Sequence, residues 1–157
     1  MTCLVFPVFS VETDVERIDA SEVPIMVKNA FNRFYDDIDP EYWYISTVKL
    51  KRRKKSTRYT ARFVKDDLTH AIRFDEEGHP IADYIILSDK EHDEFHSKVK
   101  NLFPNHDVKQ VKSVRHYHAD VQVYKLILAK NSKSEIIFID EEGDILEHEI
   151  LAKEFKQ

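Results

Sequence analysis

The sequence predicts an α+β fold built from two tandem α-β-β-β-β repeats, each an antiparallel meander sheet with one helix packed on one face. Three observations carry this. Asp75-Glu76-Glu77-Gly78 recurs 65 residues later as Asp140-Glu141-Glu142-Gly143, a period that fits one supersecondary unit. Both of the chain's two glycines lie in that tetrapeptide, where a hairpin turn requires φ > 0. The flanks repeat at the same offset: Tyr59, Ala61, Phe63 and Lys65 match Tyr124, Leu126, Leu128 and Lys130. The expected organisation is an N-terminal segment over 1–20, a first repeat over 21–87 and a second over 88–157.

The elements follow in order. Residues 10–20 are polar and acidic and read as a lead-in. A helix runs from about Ser21–Pro24 to Tyr35. Val23, Val27, Ala30, Phe31 and Phe34 form its apolar stripe at 3.6-residue spacing, and Pro24 is tolerated in the first turn. Four strands follow, at Tyr42–Leu50, Arg58–Lys65, Thr69–Phe74 and Ile81–Leu87, rich in aromatic and β-branched residues. Their short links make antiparallel neighbours. Ser88-Asp89-Lys90-Glu91 has the form of a capping box and opens a second helix with Phe95, Val99, Leu102 and Phe103 in its stripe. Strands are expected at Lys109–His118, Asp120–Lys130, Ser134–Asp140 and Asp144–Leu151. Aligning Phe34 with Phe103 puts Lys112 where the first repeat has Trp43.

The period of two names the faces. Tyr59, Ala61, Phe63, Ile72, Phe74, Ile81 and Ile85 should look at the first helix. Tyr124, Leu126, Leu128, Ile137, Ile139, Leu146 and Ile150 should look at the second. The opposite, open face then carries Thr60, Arg62, Arg73 and Tyr84, and further on Lys125, Ile127, Ile136, Phe138 and Glu149. A wet face has no need of Ile127, Ile136 and Phe138, so something should cover them.

Composition bounds the function classes. Of the 157 residues, 42% are hydrophobic and 34% charged, enough for a core and a soluble surface. The net charge of −5 argues against a general nucleic-acid binder. A single cysteine, Cys3, excludes an internal disulfide and a Cys-based zinc site. The apolar run Cys3–Phe9 is too short for a transmembrane helix and lacks a basic n-region. It reads as an edge strand or as the tail of a signal peptide that starts upstream.

The stretch Val23-Pro24-x-x-Val27-Lys28-x-Ala30-Phe31-x-x-Phe34, followed by Trp43, Tyr59-x-Ala61-x-Phe63 and Phe74-Asp75-x-x-Gly78, resembles the PepSY-like family with the beta-lactamase-inhibitor-protein-like fold. Phe103-Pro104, Tyr124-x-Leu126-x-Leu128 and Ile139-Asp140-x-x-Gly143 echo it, so the resemblance covers about residues 21–152. It implies a non-enzymatic, bacterial binding or inhibitory module, periplasmic or secreted, with no cofactor and no catalytic residues to carry over.

Three constellations bear chemistry. His92 and His96 lie one helical turn apart, a spacing that chelates zinc in H-E-x-x-H hydrolases. Here Asp93 stands in place of the glutamate, and no third ligand is evident, though His116, His118 or His148 could be offered. The imidazoles are equally explained as helix surface, and His116 and His118 as a solvated strand end. Lys49–Arg58 holds seven basic residues and no acid. Such a tip, with Lys51, Arg52 and Arg53, suits an anionic partner, as an envelope structural or sensor protein would use it; it also keeps a hairpin soluble. Glu76/Glu77 and Glu141/Glu142 point outward in turns and lack the enclosed cleft of an acid–base pair. The leading expectation is a binding or inhibitor-like module that engages an unidentified protein or peptide through its open face, with Arg62, Arg73, Tyr84 and Phe138 as the contacts. A metal-dependent hydrolase at His92/His96 is the alternative.

Overall fold

The computed structural model of the chain describes residues 12–49, 55–87, 97–117 and 121–146. Eight strands form one antiparallel sheet in chain order. They are β1 (Glu12–Ile18), β2 (Tyr42–Lys49), β3 (Lys55–Lys65), β4 (Leu68–Asp75), β5 (Pro80–Ile86), β6 (Asp107–His116), β7 (Val121–Lys130) and β8 (Lys133–Ile139). The expected pair of four-stranded meanders is thus one sheet: β5 and β6 are bonded from Ala82↔His116 to Ile86↔Lys112. Residues 10–20 hold more than a lead-in, because β1 pairs along β2 from Glu12↔Val48 to Ile18↔Trp43. Its alternation is short and charged, which hid it. The strand expected after Gly143 is represented among the described residues by a single bridge, Ile139↔Ile145; Ile150 lies outside them.

Helix α1 spans Ile25–Phe34. A 3-10 turn, Ala20–Glu22, precedes it, with Asp19 as N-cap accepting from Ser21 N at 2.8 Å while the Asp19 N–H donates to Glu22 at 2.9 Å. That reciprocal pair satisfies donors that a helix start leaves orphaned. A second helix, α2, is described over 97–102. Ser88–Glu91 and Phe95 lie outside the described residues. Each helix is spliced between two strands that pair directly, α1 between β1 and β2, α2 between β5 and β6.

Two cores lie on the helix side, and a smaller cluster lies on the reverse face. Under α1, Val27, Phe31, Ala61, Phe63, Ile72 and Phe74 are sealed from solvent. The Phe31 ring meets Trp43 at 5.7 Å and Phe63 at 5.3 Å, both edge-on, the geometry that opposes ring quadrupoles favourably. Each such side chain contributes about 1.5–3 kcal/mol by leaving water. Under α2, Val99, Val111, Leu126, Leu128 and Ile139 do the same. Phe34, expected in the stripe, is 44% exposed; it lies at the helix end and leans on Tyr117 at 5.7 Å. Leu146 is not under α2 but packs on the reverse side, since Leu146 N donates to Phe138 O and so shares its face. Ile81 falls at a register shift in β4–β5 and leaves the alternation.

Pairing bears on how the two halves compare. Trp43 stands opposite Ala61, and Val111, not Lys112, stands opposite Leu126. Val27 and Val99 are both fully buried, which matches the helices differently from the Phe34–Phe103 pairing. The turns behave alike. Asp75 Oδ1 accepts from Glu77 N and His79 N; Asp140 Oδ1 accepts from Gly143 N and Asp144 N. Gly78 has φ 83° and Gly143 φ 93°, and both turns lie under a helix.

Candidate functional site

The sheet face turned away from the helices collects the residues singled out from the sequence. Register places them in two adjacent rows. One runs Tyr42, Arg62, Ala71, Tyr84, Val114, Val123; the other runs Arg17, Tyr44, Thr60, Arg73, Ala82, His116. They alternate with Trp43, Ala61 and Ile72, which face α1, so they point the opposite way. Phe138 and Lys125 sit opposite each other on this face in β8 and β7.

Arginines and aromatic rings interleave there. The Arg17 guanidinium carbon lies 3.9 Å from the Tyr42 ring centroid and that of Arg73 5.4 Å from the Tyr84 ring. Lys125 Nζ is 6.0 Å from Phe138. These are cation–π distances. Arg73 Nε also donates to Thr60 Oγ1 at 3.4 Å. Arg62 differs: its Nε is shielded from solvent and has no acceptor among the described residues.

The far half of the face is apolar. Val114 and Val123 are buried there under Tyr84, Phe138 and Leu146. Tyr84 and Phe138, far apart in sequence, therefore share one cluster, and Arg73 lies against its rim. Phe138 is half-buried by these neighbours, whereas Ile136 beside it remains 46% exposed. Sequence reasoning missed Val114 and Val123, although β6 and β7 alternate plainly enough to place them. It missed Arg17, which lies in a stretch that reads as a lead-in, and it passed over Tyr42, although the strand Tyr42–Leu50 and its parity place that ring on this face. Lys51, Arg52, Arg53 and Glu149 lie outside the described residues. The flanks of the basic tip are in the ladder, with Lys49 opposite Lys55.

A second polar group lies on the helix side, in the seam between the cores. Asp83, half-buried, takes a 3.4 Å hydrogen bond from Tyr117 Oη and faces Arg115 across the ladder. Burial pushes the Asp83 carboxyl above its usual range, and the Arg115 charge opposes this. Burial, with Asp83 beside it, pushes the Tyr117 hydroxyl up to about 12; Tyr35 moves in the same direction for the same two reasons. Burial lowers His70, whose ring stacks on Phe63 at 5.3 Å. The alternation Ile81-Ala82-Asp83-Tyr84-Ile85 could have flagged Asp83 as an acid on a packed face.

The metal-ligand candidates do not gain from the structure. His92, His96, His118 and His148 lie outside the described residues, and His116 is buried on the reverse face. Asp75, Glu77 and His79 bring one ligand atom each within 4.8 Å of one another, but the Asp75 carboxylate is engaged in building its turn. No helix among the described residues is long and apolar enough to cross a membrane.

No family model matches the chain, and no curated protein matches it. Among solved structures, it is similar to one described as "putative periplasmic proteins" from Bacteroides eggerthii DSM 20697, with a TM-score of 0.57 and 16% identity, covering 80% of this chain and 86% of that one. It is similar also to a DUF2874 family protein from Bacteroides uniformis ATCC 8492, with a TM-score of 0.57 and 13% identity, covering 79% and 86%. At these identities the likeness is one of fold, an antiparallel meander sheet with few helices.

Proposed function

We propose that the chain is a non-catalytic binding or inhibitor-like module that engages a protein or peptide through its open sheet face. One observation carries the reading: Arg62, Arg73, Tyr84 and Phe138 occupy one face, and Tyr84 and Phe138 join in one apolar cluster with Arg73 at its edge. Tyr, Phe and Arg at the centre of a flat surface are the side chains that anchor interfaces. The helices occupy the other face, and on this one Val114 and Val123 form a small buried cluster beneath Tyr84 and Phe138.

The two-repeat reading belongs to the same proposal. Its support is the shared register of Tyr59↔Phe74 and Tyr124↔Ile139 and the matching turns. So does the kinship with PepSY-like proteins, and with it a periplasmic or secreted location. The bacterial neighbours, one of them described as periplasmic, favour that location.

The test is capture from envelope and cytosolic fractions on immobilised protein, with Arg73→Ala/Tyr84→Ala as the comparison. The double variant should keep its circular dichroism and lose a specifically retained protein. Retention unchanged by the double substitution overturns the assignment of this face.

A further inference from the structure

We infer that a cleft beside the β7–β8 hairpin binds a small hydroxylated anion, a sugar-sized molecule carrying a carboxylate or a phosphate. The cleft lies on the helix side, so it stands or falls apart from the reverse face.

The hairpin builds most of it. Leu128 is sealed under α2, and Lys130, at the next position of the same parity, points to the same side. Lys133 stands opposite Lys130, and Glu135 stands opposite Leu128, so all three side chains are on the helix side. Asn131 and Ser132 make the turn, with φ 49° and 63°. His106 comes from the turn that follows α2, fixed by its N–H donating to Phe103 O at 3.0 Å. His106, Lys130, Asn131, Lys133 and Glu135 line a cleft of about 270 Å³. That is slightly below the range of drug-sized ligand sites, about 300–1,000 Å³, so it suits one monosaccharide.

The β3–β4 hairpin has the matching corner filled. Its turn carries the same pair of positive φ values, 51° at Asp66 and 62° at Asp67, and Phe63 stands opposite His70 as Leu128 stands opposite Glu135. There the Tyr35 ring lies 4.4 Å from the Phe63 ring, with Lys65 Nζ 5.6 Å from its centroid. A ring with a polar edge, taken from the end of α1, occupies that corner. At the second hairpin a cleft remains.

Charge selects an anion. Like charges directly opposite each other on a sheet face repel, and neither Lys130 nor Lys133 has an ion pair among the described residues. An anionic oxygen group between the two ammonium groups converts repulsion into attraction. The rest of the lining selects hydroxyls. His106 Nδ1 is shut off from solvent and has no hydrogen-bond partner among the described residues. A proton there would be a buried, unpaired donor, so the ring carries its proton on Nε2. That nitrogen is 3.6 Å from the Glu135 carboxylate, longer than a hydrogen bond. A hydroxyl beside the pair accepts from Nε2 and donates to Glu135, whereas an ammonium can do only the second. The Asn131 amide likewise both donates and accepts.

The experiment titrates the intact, isotope-labelled chain with glucuronate, glucosyl phosphate, glucose and inorganic phosphate. At least one sugar anion should move the amide signals of Asn131, Ser132 and Lys133, and the tighter of the two identifies the acid. Glucose and inorganic phosphate should each bind about tenfold more weakly, the scale of one charge-assisted hydrogen bond. Lys130→Gln/Lys133→Gln should cost the sugar anions about tenfold or more, and Glu135→Gln about fivefold while sparing inorganic phosphate. These positions are exposed, so the folded spectrum should be kept. Inorganic phosphate binding as tightly as the sugar anions overturns the hydroxyl recognition, and glucose doing so overturns the anion. Affinity unchanged by the double lysine substitution overturns the site. So do unmoved signals with every probe up to about 10 mM.

Discussion

Gly78 lies so close to α1 that a Cβ on it would stand 2.7 Å from the carbonyl oxygen of Met26. Backbone cannot swing aside, and φ at this residue is 83°. Gly143, at φ 93°, would place its Cβ 2.9 Å from Lys98 Cε, the movable end of a side chain. Gly78→Ala should therefore cost about 3 kcal/mol, left-handed strain plus overpacking, and Gly143→Ala about 1 kcal/mol, chiefly strain. Urea denaturation measures both. Equal losses would mean that the clash with Met26 is relieved at no cost.

The rings under α1 should separate core from rim. Phe31→Ala and Phe63→Ala each open a cavity in a sealed cluster and should cost about 3–5 kcal/mol. Phe34→Ala, at a half-exposed site, should cost about 1 kcal/mol. Thermal melts rank the three, and a large loss at Phe34 would relocate the core edge.

On the reverse face, Val123 is as buried as any residue under the helices. Val123→Asp places a charge beneath Tyr84 and Phe138 and should cost about 3 kcal/mol or more. Ile136→Asp, on the same face but exposed, should be close to neutral. A soluble, fully folded Val123→Asp protein would show that this cluster adds little to the fold.

The seam around Asp83 predicts a pH dependence. The folded carboxyl holds its proton at pH values where the unfolded chain has released it. Its contribution is therefore full below the ordinary carboxylate pKa and declines as pH rises through the raised one. His70, lowered, works oppositely: its contribution is full above the ordinary imidazole pKa and declines as pH falls through the lower value. Asp83→Asn should remove the first slope, keep the second, since the Asp83 charge only opposes the lowering of His70, and raise stability at neutral pH. Denaturation midpoints followed from pH 4 to 8 test this, and parallel curves for the two proteins would refute it.

At alkaline pH the Tyr117 hydroxyl stays protonated to about 12 in the fold. Stability should fall as pH rises from about 10 towards that value. Tyr117→Phe keeps the ring against Phe34 and should reduce the fall; the part due to Tyr35, shifted in the same direction, remains. An unchanged alkaline transition would remove Tyr117 from the account.

Much of this was legible in the residues. Ala61, Phe63, Ile72, Phe74, Leu126, Leu128 and Ile139 alternate along strands and all prove sealed. The turn glycines announced themselves by scarcity. The open face followed by parity, which placed Arg62, Arg73, Tyr84 and Phe138 together. What failed needed information that a local pattern lacks. β1 is a strand because β2 offers it a partner, not because Glu12–Ile18 resembles one. That Val111 and not Lys112 stands opposite Leu126 is something only pairing reveals. The joining of the meanders through β5 and β6 is likewise a tertiary fact.

The order of the sheet has a consequence for how the molecule is made. Every described strand after the first bonds to the one synthesised just before it, and the widest gaps among them are those that hold α1 and α2. Among the described strands, no ladder waits for a later segment to complete an earlier one. The protein can assemble in the direction it leaves the ribosome, each new strand closing a small loop onto a template already in place.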